Sequence, residues 1–260
     1  MSADLLTMRA FPGLLAVALT AATLAAQAPV GGWPQHSPER PMASVQTPPP
    51  QELPIAPPRG ATILFDGKDL SQWQASDGTP AKWRLTGDGA MEVVARTGDI
   101  RTRQGFGDVR LHVEWATPSP AKGVSQNRGN SGVYLMVTYE VQVLDSYQSR
   151  TYADGQAAAI YGQFPPRVNV SRPPGEWQSF DIEFRRPRFD AGGNLVSPAR
   201  MTVRHNGVVV HDDVALEGPT SHFSRPPYRA HADALPVLLQ DHGDPVRYRN
   251  IWVVPLDSPR

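Results

Sequence analysis

The chain has 260 residues, and its 25 Lys and Arg balance its 25 Asp and Glu, so the formal net charge is zero. A balanced chain carries no electrostatic footprint for nucleic acid or for an anionic membrane surface. Cysteine is absent, which excludes a disulfide framework, a thiol nucleophile and a cysteine-borne lipid anchor. The length suits one large β domain or two small ones, and a core of that size needs no disulfide staples even in an oxidising compartment.

In chain order, the first feature is an apolar run. Arg9 precedes FPGLLAVALTAATLAA, which ends in small residues. That is the charged, apolar and cleavage-zone pattern of a secretory signal, expected over residues 1–28 with cleavage after Ala26 or Ala28. Secretion or a periplasmic location follows as an expectation. Asp4 is atypical of such a signal, and Met8 is an alternative start. An uncleaved anchor is the competing reading, and the run is short for a bilayer span. No other stretch has the apolar length to cross a membrane, so the processed chain is not expected to be an integral membrane protein. Residues 29–60 are about one-third proline without hydrophobic period. They are expected to form an extended linker, or an arm along the following domain; Trp33 alone does not decide between them.

The domain expected over 61–257 reads as strands. ATILFDGKDL ends at an Asp66-Gly67 turn. WRLTGDGAMEVVA places two short strands around Asp88-Gly89, and ARMTVRHNGVVVHDDV is a hairpin on Asn206-Gly207. VRLHVEWATP, EWQSFDIEFRRP, LPVLLQDHG and VRYRNIWVVPL add further strands, and GNSGVYLMV and YEVQVLDS are neighbours able to pair. Only QAAAIYG offers a helical turn. This all-β pattern indicates a sandwich or barrel. Polar residues alternate on several strands (Arg110, His112 and Glu114; Glu140 and Gln142; Arg247 and Arg249), which suggests one broad polar sheet surface. Two long loops, 146–174 and 216–235, carry aromatics and histidines. Loops this long are usually functional or disordered, and their aromatic content favours ordered walls over a site.

Several chemistries lack support. GFGDVR is a truncated glycine pattern without a βαβ context, no HExxH or Cys/His cluster is present, and GNSGVY is not a nucleophile elbow. Carboxylate, amide, histidine and tyrosine chemistry remains. Glu140 and Gln142 lie two apart on a strand and emerge from one face; that face is either solvated or the floor of a site. Asp145 has the opposite parity and joins them only if the strand bulges or ends first. His242, in the Asp241-His242-Gly243-Asp244 turn, is a proton carrier near neutral pH or a structural loop residue.

ILFDGKDLSQW, GNSGVYLM, YEVQVLDSY, TYADGQAAAIYGQFPP, PPGEWQSFDIEF, HNGVVVHDDV and LLQDHGDPVRYRNIWV occur in this order. Together they resemble the 3-keto-disaccharide hydrolase family, formerly DUF1080, also described as 3-keto-glucoside 1,2-lyases and 3-keto-2-hydroxy-glucal hydratases. The resemblance runs from about Ala61 to Leu256. It implies a concanavalin A-like jelly-roll β-sandwich and secreted or periplasmic chemistry on 3-keto-glucosides, with a separate sugar 3-dehydrogenase supplying the ketone. Applied to that substrate, the residues take expected roles. Glu140 is the base or a metal ligand, and His242 its acid/base partner. Gln142 and Asn130 bind hydroxyls or the keto oxygen, although Asn130 also suits a turn. Tyr134, Tyr161, Trp177 and Arg247 are candidate sugar walls; Trp177 also suits a core, and Arg247 an ion pair with Asp244. Glu140 and Asp145 would suit calcium or magnesium as an electrophile. A lectin-like carbohydrate-binding module on the same fold and a cell-surface scaffold with a proline-rich tether are the competing readings.

Overall fold

The computed structural model describes residues 32–256; the expected signal segment lies outside them. Two antiparallel sheets dominate. One has eight strands, ordered Val208–Ala215, Arg200–His205, Gln178–Arg185, Val109–Ala116, Arg247–Pro255, Met91–Glu92 and Arg84–Leu85, with Thr62–Phe65 also on Arg247–Pro255. The other has five, ordered Trp73–Ala75, Ile100–Phe106, Leu235–Leu239, Ser131–Leu135 and Tyr139–Val143.

Strand parity builds the core between them. Val113, Trp115, Phe180, Ile182 and Phe184 of the larger sheet share one apolar cluster with Val133, Tyr139, Val141, Val143, Val237 and Leu239 of the smaller. The Tyr139 and Phe184 rings meet at 5.4 Å. Two inner faces interdigitating in this way make a β-sandwich, and the architecture is the jelly roll. The Asn206-Gly207 hairpin forms as its dipeptide requires, with φ of 50° and 81° in the left-handed region. QAAAIYG holds turns; a short 3-10 turn lies just upstream, at Ala153–Gly155.

The alternating polar residues do not share one surface. Arg110, His112, Glu114, Arg247 and Arg249 belong to strands of the eight-stranded sheet, whereas Glu140 and Gln142 belong to the other sheet. Parity assigns a side chain to a face of its own strand and says nothing about which sheet that strand joins.

The proline-rich stretch from residue 32 packs along the domain. Ser44–Val45 pairs in parallel with Val168–Asn169. Ser179 Oγ donates to Gln51 Oε1 at 3.1 Å, and Ile55 N–H donates to the buried Glu114 carboxylate at 2.8 Å. Among the described residues no helix is long and apolar enough to cross a membrane.

Candidate active site

The hairpin of Ser131–Leu135 and Tyr139–Val143 forms the floor of a cleft of about 500 Å³. Its register sets Tyr134 opposite Glu140 and Gly132 opposite Gln142. Val141 and Val143 point inward, so these polar partners share the outer face. That face is not solvated: every residue of Tyr139–Val143 is buried. The 146–174 loop covers the free edge of the strand, with Gln142 N–H donating to Ala159 O and Ala158 N–H to Gln142 O, and it carries Tyr152 and Tyr161 into the cleft. The 216–235 loop adds Thr220, Ser221 and His222, and Glu140 N–H donates to Thr220 Oγ1 at 3.0 Å.

Glu140 is the only carboxylate among the described residues that line the cleft, and no Lys or Arg lines it. Burial pushes the Glu140 carboxyl up to about 8; a hydrogen bond from the Tyr134 hydroxyl pulls the other way, and the Asp99 charge adds to the rise. Tyr134 is itself pushed up, first by burial and then by the Glu140 charge, and its hydroxyl accepts from Gln240 Nε2 at 3.3 Å. Gly132 makes room for the carboxyl: a Cβ there would stand 2.5 Å from Glu140 Oε1.

The amides form one network. Gln142 Nε2 donates to Gln126 Oε1 (3.1 Å) and Asn130 Oδ1 (3.2 Å), while Asn130 Nδ2 donates to Gln126 O at 2.7 Å. The N–H groups of Gln142 and Asn130 are therefore committed internally. What these two amides retain is acceptor capacity, which suits a sugar hydroxyl and not a keto oxygen.

Along the opposite wall, Tyr152 and Tyr161 join hydroxyl to hydroxyl at 2.5 Å, and the Tyr161 hydroxyl meets His222 Nδ1 at 2.8 Å. Partial burial, then the His36 and His242 charges, holds His222 below its ordinary value. In the tautomer protonated at Nε2, a neutral His222 accepts at Nδ1 and the chain donates from Tyr152 to Tyr161 to His222; in the other tautomer Nδ1 donates to the Tyr161 hydroxyl. His242 stands exposed at the rim.

Of the residues singled out from sequence, Glu140, Gln142, Asn130, Tyr134, Tyr161 and His242 line this one cleft. Trp177 and Arg247 do not. Both guanidiniums of Arg247 and Arg249 lie over the Trp177 ring, at 5.1 and 4.2 Å, and Arg247 Nη1 bonds Asp88 Oδ2 at 2.9 Å, on the other sheet. Asp244, suggested as the partner of Arg247, instead accepts from Asn130 N–H at 2.8 Å. Asp145 also leaves the site. The strand ends at Val143, and Asp145 turns into a separate cavity, held by Arg128 Nε at 2.7 Å. The pairing of Glu140 with Asp145 around calcium or magnesium is thereby corrected. The two carboxyls face different cavities, and among the described residues no three His, Asp or Glu side chains converge as metal ligands. Gly132, Gln126, Asn127, Tyr152, Thr220, His222 and Gln240 escaped the sequence reading; the glycines of GNSGVY hinted at Gly132 and the length of the two loops at Tyr152, Thr220 and His222, and nothing marked Gln126, Asn127 or Gln240.

A family model described as the 3-keto-α-glucoside-1,2-lyase-like domain matches residues 60–254. The chain belongs to this family. A solved structure of a candidate glycosyl hydrolase from Parabacteroides distasonis ATCC 8503 shares 42% identity over 76% of this chain and 84% of its own, with a TM-score of 0.74. Two further candidate glycosyl hydrolases of the same organism match at 20% and 21% identity over 76% and 75% of this chain and 94% and 99% of their own, with TM-scores of 0.56 and 0.53. These two bear on the fold alone. No curated protein matches the chain.

Proposed function

We propose that the cleft cleaves 3-keto-glucosides by elimination across C1–C2 followed by hydration. The observation that carries this reading is the solitary buried Glu140. Ordinary glycosidases flank the scissile bond with two carboxyls, and here, among the described residues, a single one lines the cleft, poised to exchange a proton near neutral pH. A ketone at C3 acidifies the hydrogen on C2. The Glu140 carboxylate takes that proton, and the C2–H electrons form the enolate. The enolate then re-forms the ketone, making the C1–C2 double bond as the C1–O bond breaks, and the leaving oxygen takes a proton from the rim. The product is a 3-keto-2-hydroxy-glucal. Addition of water, OH to C1 and H to C2, gives the free 3-keto sugar, so the net reaction is hydrolysis.

Donors at the C3 oxygen come from groups whose N–H bonds are uncommitted: the second N–H of Gln240, the Asn127 amide and His242. Acceptors in the amide network receive sugar hydroxyls. With no Lys or Arg among the described lining residues, the cleft suits a neutral sugar over a phosphorylated or acidic one. The volume falls within the range of small-molecule clefts. This reading requires an oxidoreductase that forms the ketone beforehand, and the expected signal places the reaction outside the cytoplasm.

The test is an α-linked 3-keto-glucoside incubated in deuterated water with and without enzyme and chelator. Enzyme-dependent deuterium at C2 of the product, unaffected by chelator, is expected. Cleavage without C2 exchange would sink the elimination route, and binding without turnover would return the lectin-like reading, which the amide-rich lining also suits.

A further inference from the structure

The family match begins at residue 60, yet one wall of the cleft is held from outside it. His36 N–H donates to Asp154 Oδ2 at 3.0 Å, its Nδ1 lies 3.3 Å from Asp154 Oδ1, and its Nε2 bonds His222 O at 2.9 Å. Its ring centroid stands 4.1 Å from Tyr152, 5.2 Å from Tyr161 and 5.1 Å from His222. His36 thus touches every member of the Tyr152–Tyr161–His222 chain. Its neighbours fasten the same loops. Gln35 Nε2 donates to Ser221 O at 2.6 Å, and Arg40 Nη1 donates to Gln163 O at 2.9 Å and approaches Asp154 at 3.8 Å. Asp154 is fully buried, and a Cβ at Gly162 would stand 2.3 Å from Gln35 Nε2. His36 itself sits at φ 57°, a left-handed conformation that the hydrogen bonds to Asp154 hold in place.

We propose that Gln35, His36 and Arg40 of the arm are a built part of the active site, with His36 a positioning residue that fixes Tyr161 and the His222 imidazole at the cleft wall. Without His36, His222 loses its carbonyl anchor and one of its ring neighbours, while Tyr152 and Tyr161 lose the surface that orients their hydroxyls. The two long loops close the wall only when the arm joins them. The proposal rests on the cleft being the catalytic site, and its test has one arm that needs no turnover.

That arm is nitrogen NMR of His222 in His36→Ala, His36→Phe and, as a control on the exposed arm surface, Glu39→Ala. In the parent protein the Tyr161 hydroxyl holds Nδ1 at 2.8 Å, so one tautomer should predominate. His36→Ala should average the two tautomers, and His36→Phe, which keeps a ring, should recover part of the signature. In turnover of a 3-keto-glucoside, kcat/KM should fall tenfold or more for His36→Ala, less for His36→Phe and not for Glu39→Ala. An unchanged His222 tautomer in a folded His36→Ala protein overturns the proposal. Inactivity of the parent protein on 3-keto-glucosides overturns the proposed function and leaves the tautomer result to judge His36.

Discussion

Glu140 is costly to the fold in its ionised form, and that cost is measurable without a substrate. A carboxyl whose folded value is about 8, against an ordinary 4.5, contributes its full stability when protonated and loses it as the pH rises through the folded value. The penalty grows between those two values and reaches about 5 kcal/mol above them. Glu140→Gln removes the titrating group and keeps the shape. Its Tm should match the parent protein's near pH 4 and exceed it by a widening margin towards pH 8. The same substitution removes the proposed base, so kcat/KM should drop by a factor of roughly 10² to 10⁴, and the parent's kcat/KM should climb with pH to an inflection near 8. Gly132 belongs to the same argument. A methyl group 2.5 Å from Glu140 Oε1 displaces the carboxyl from Tyr134, so Gly132→Ala should lower kcat by at least about tenfold, since small misplacements of reacting groups cost orders of magnitude. Glu140 and Gln142 were legible in YEVQVLDS because strand parity is a local property. Gly132 was not, because what a Cβ would strike there belongs to the facing strand.

At the scale of elements, the floor hairpin shows where local signals stop. GNSGVYLMV and YEVQVLDS read as neighbouring strands able to pair, and they do. Their turn, however, carries no Asn, Asp or Gly: Met136 and Val137 occupy it at φ 54° and 52°. Met136 is buried in the core cluster and Val137 N–H donates to Pro236 O at 2.9 Å, so tertiary packing overrides the turn preference. A β-branched residue in that region is strained by about 1–2 kcal/mol. Val137→Gly should relieve the strain and raise stability by about 1 kcal/mol in denaturant unfolding, with the cleft unchanged; a drop in stability would show that the Val137 side chain contributes more by packing than its backbone loses. The strand set itself was legible from alternation and turn dipeptides. The placement of Trp177 and Arg247 was not, because alternation is blind to sheet order, and sheet order is decided by contacts far apart in sequence.

Across the whole molecule, the arm joins the cleft wall to the outer face of the larger sheet, and both ends close on buried carboxylates. At one end Asp154 meets His36 and Arg40; at the other Glu114 receives Ile55 N–H, Asn250 Nδ2 at 2.8 Å and Arg249 Nε at 2.8 Å, and His112 stands 3.5 Å away. Burial alone would raise both carboxyls. At Asp154 the hydrogen bonds from His36 and the His36 and Arg40 charges outweigh it, and at Glu114 the bonds from His112, Asn250, Arg249 and Ile55 do, so both lie below the ordinary carboxylate range. A depressed carboxyl contributes stability above its unfolded value and loses it as pH falls through the folded one. His112 has the opposite sign. Burial would lower it, but Asp181 and Glu114 raise it above the ordinary histidine value, so its contribution is complete in mild acid and fades as pH rises through the raised value. Arg110 Nη2 also bonds Asp181 at 3.1 Å and keeps that carboxylate charged beside His112. The arm should therefore hold tightest from just above the ordinary carboxylate range to near-neutral pH, and loosen first on acidification below that range. Hydrogen exchange corrected for intrinsic rates reads this directly. Protection of the Ile55 and His36 amides should fall below about pH 4 while amides of the central strand Val109–Ala116 remain protected, and Glu114→Gln should flatten the acid dependence at Ile55 more than at His36. Loss of arm and core protection in one transition would mean that the arm has no opening of its own and that these carboxylates act only on global stability.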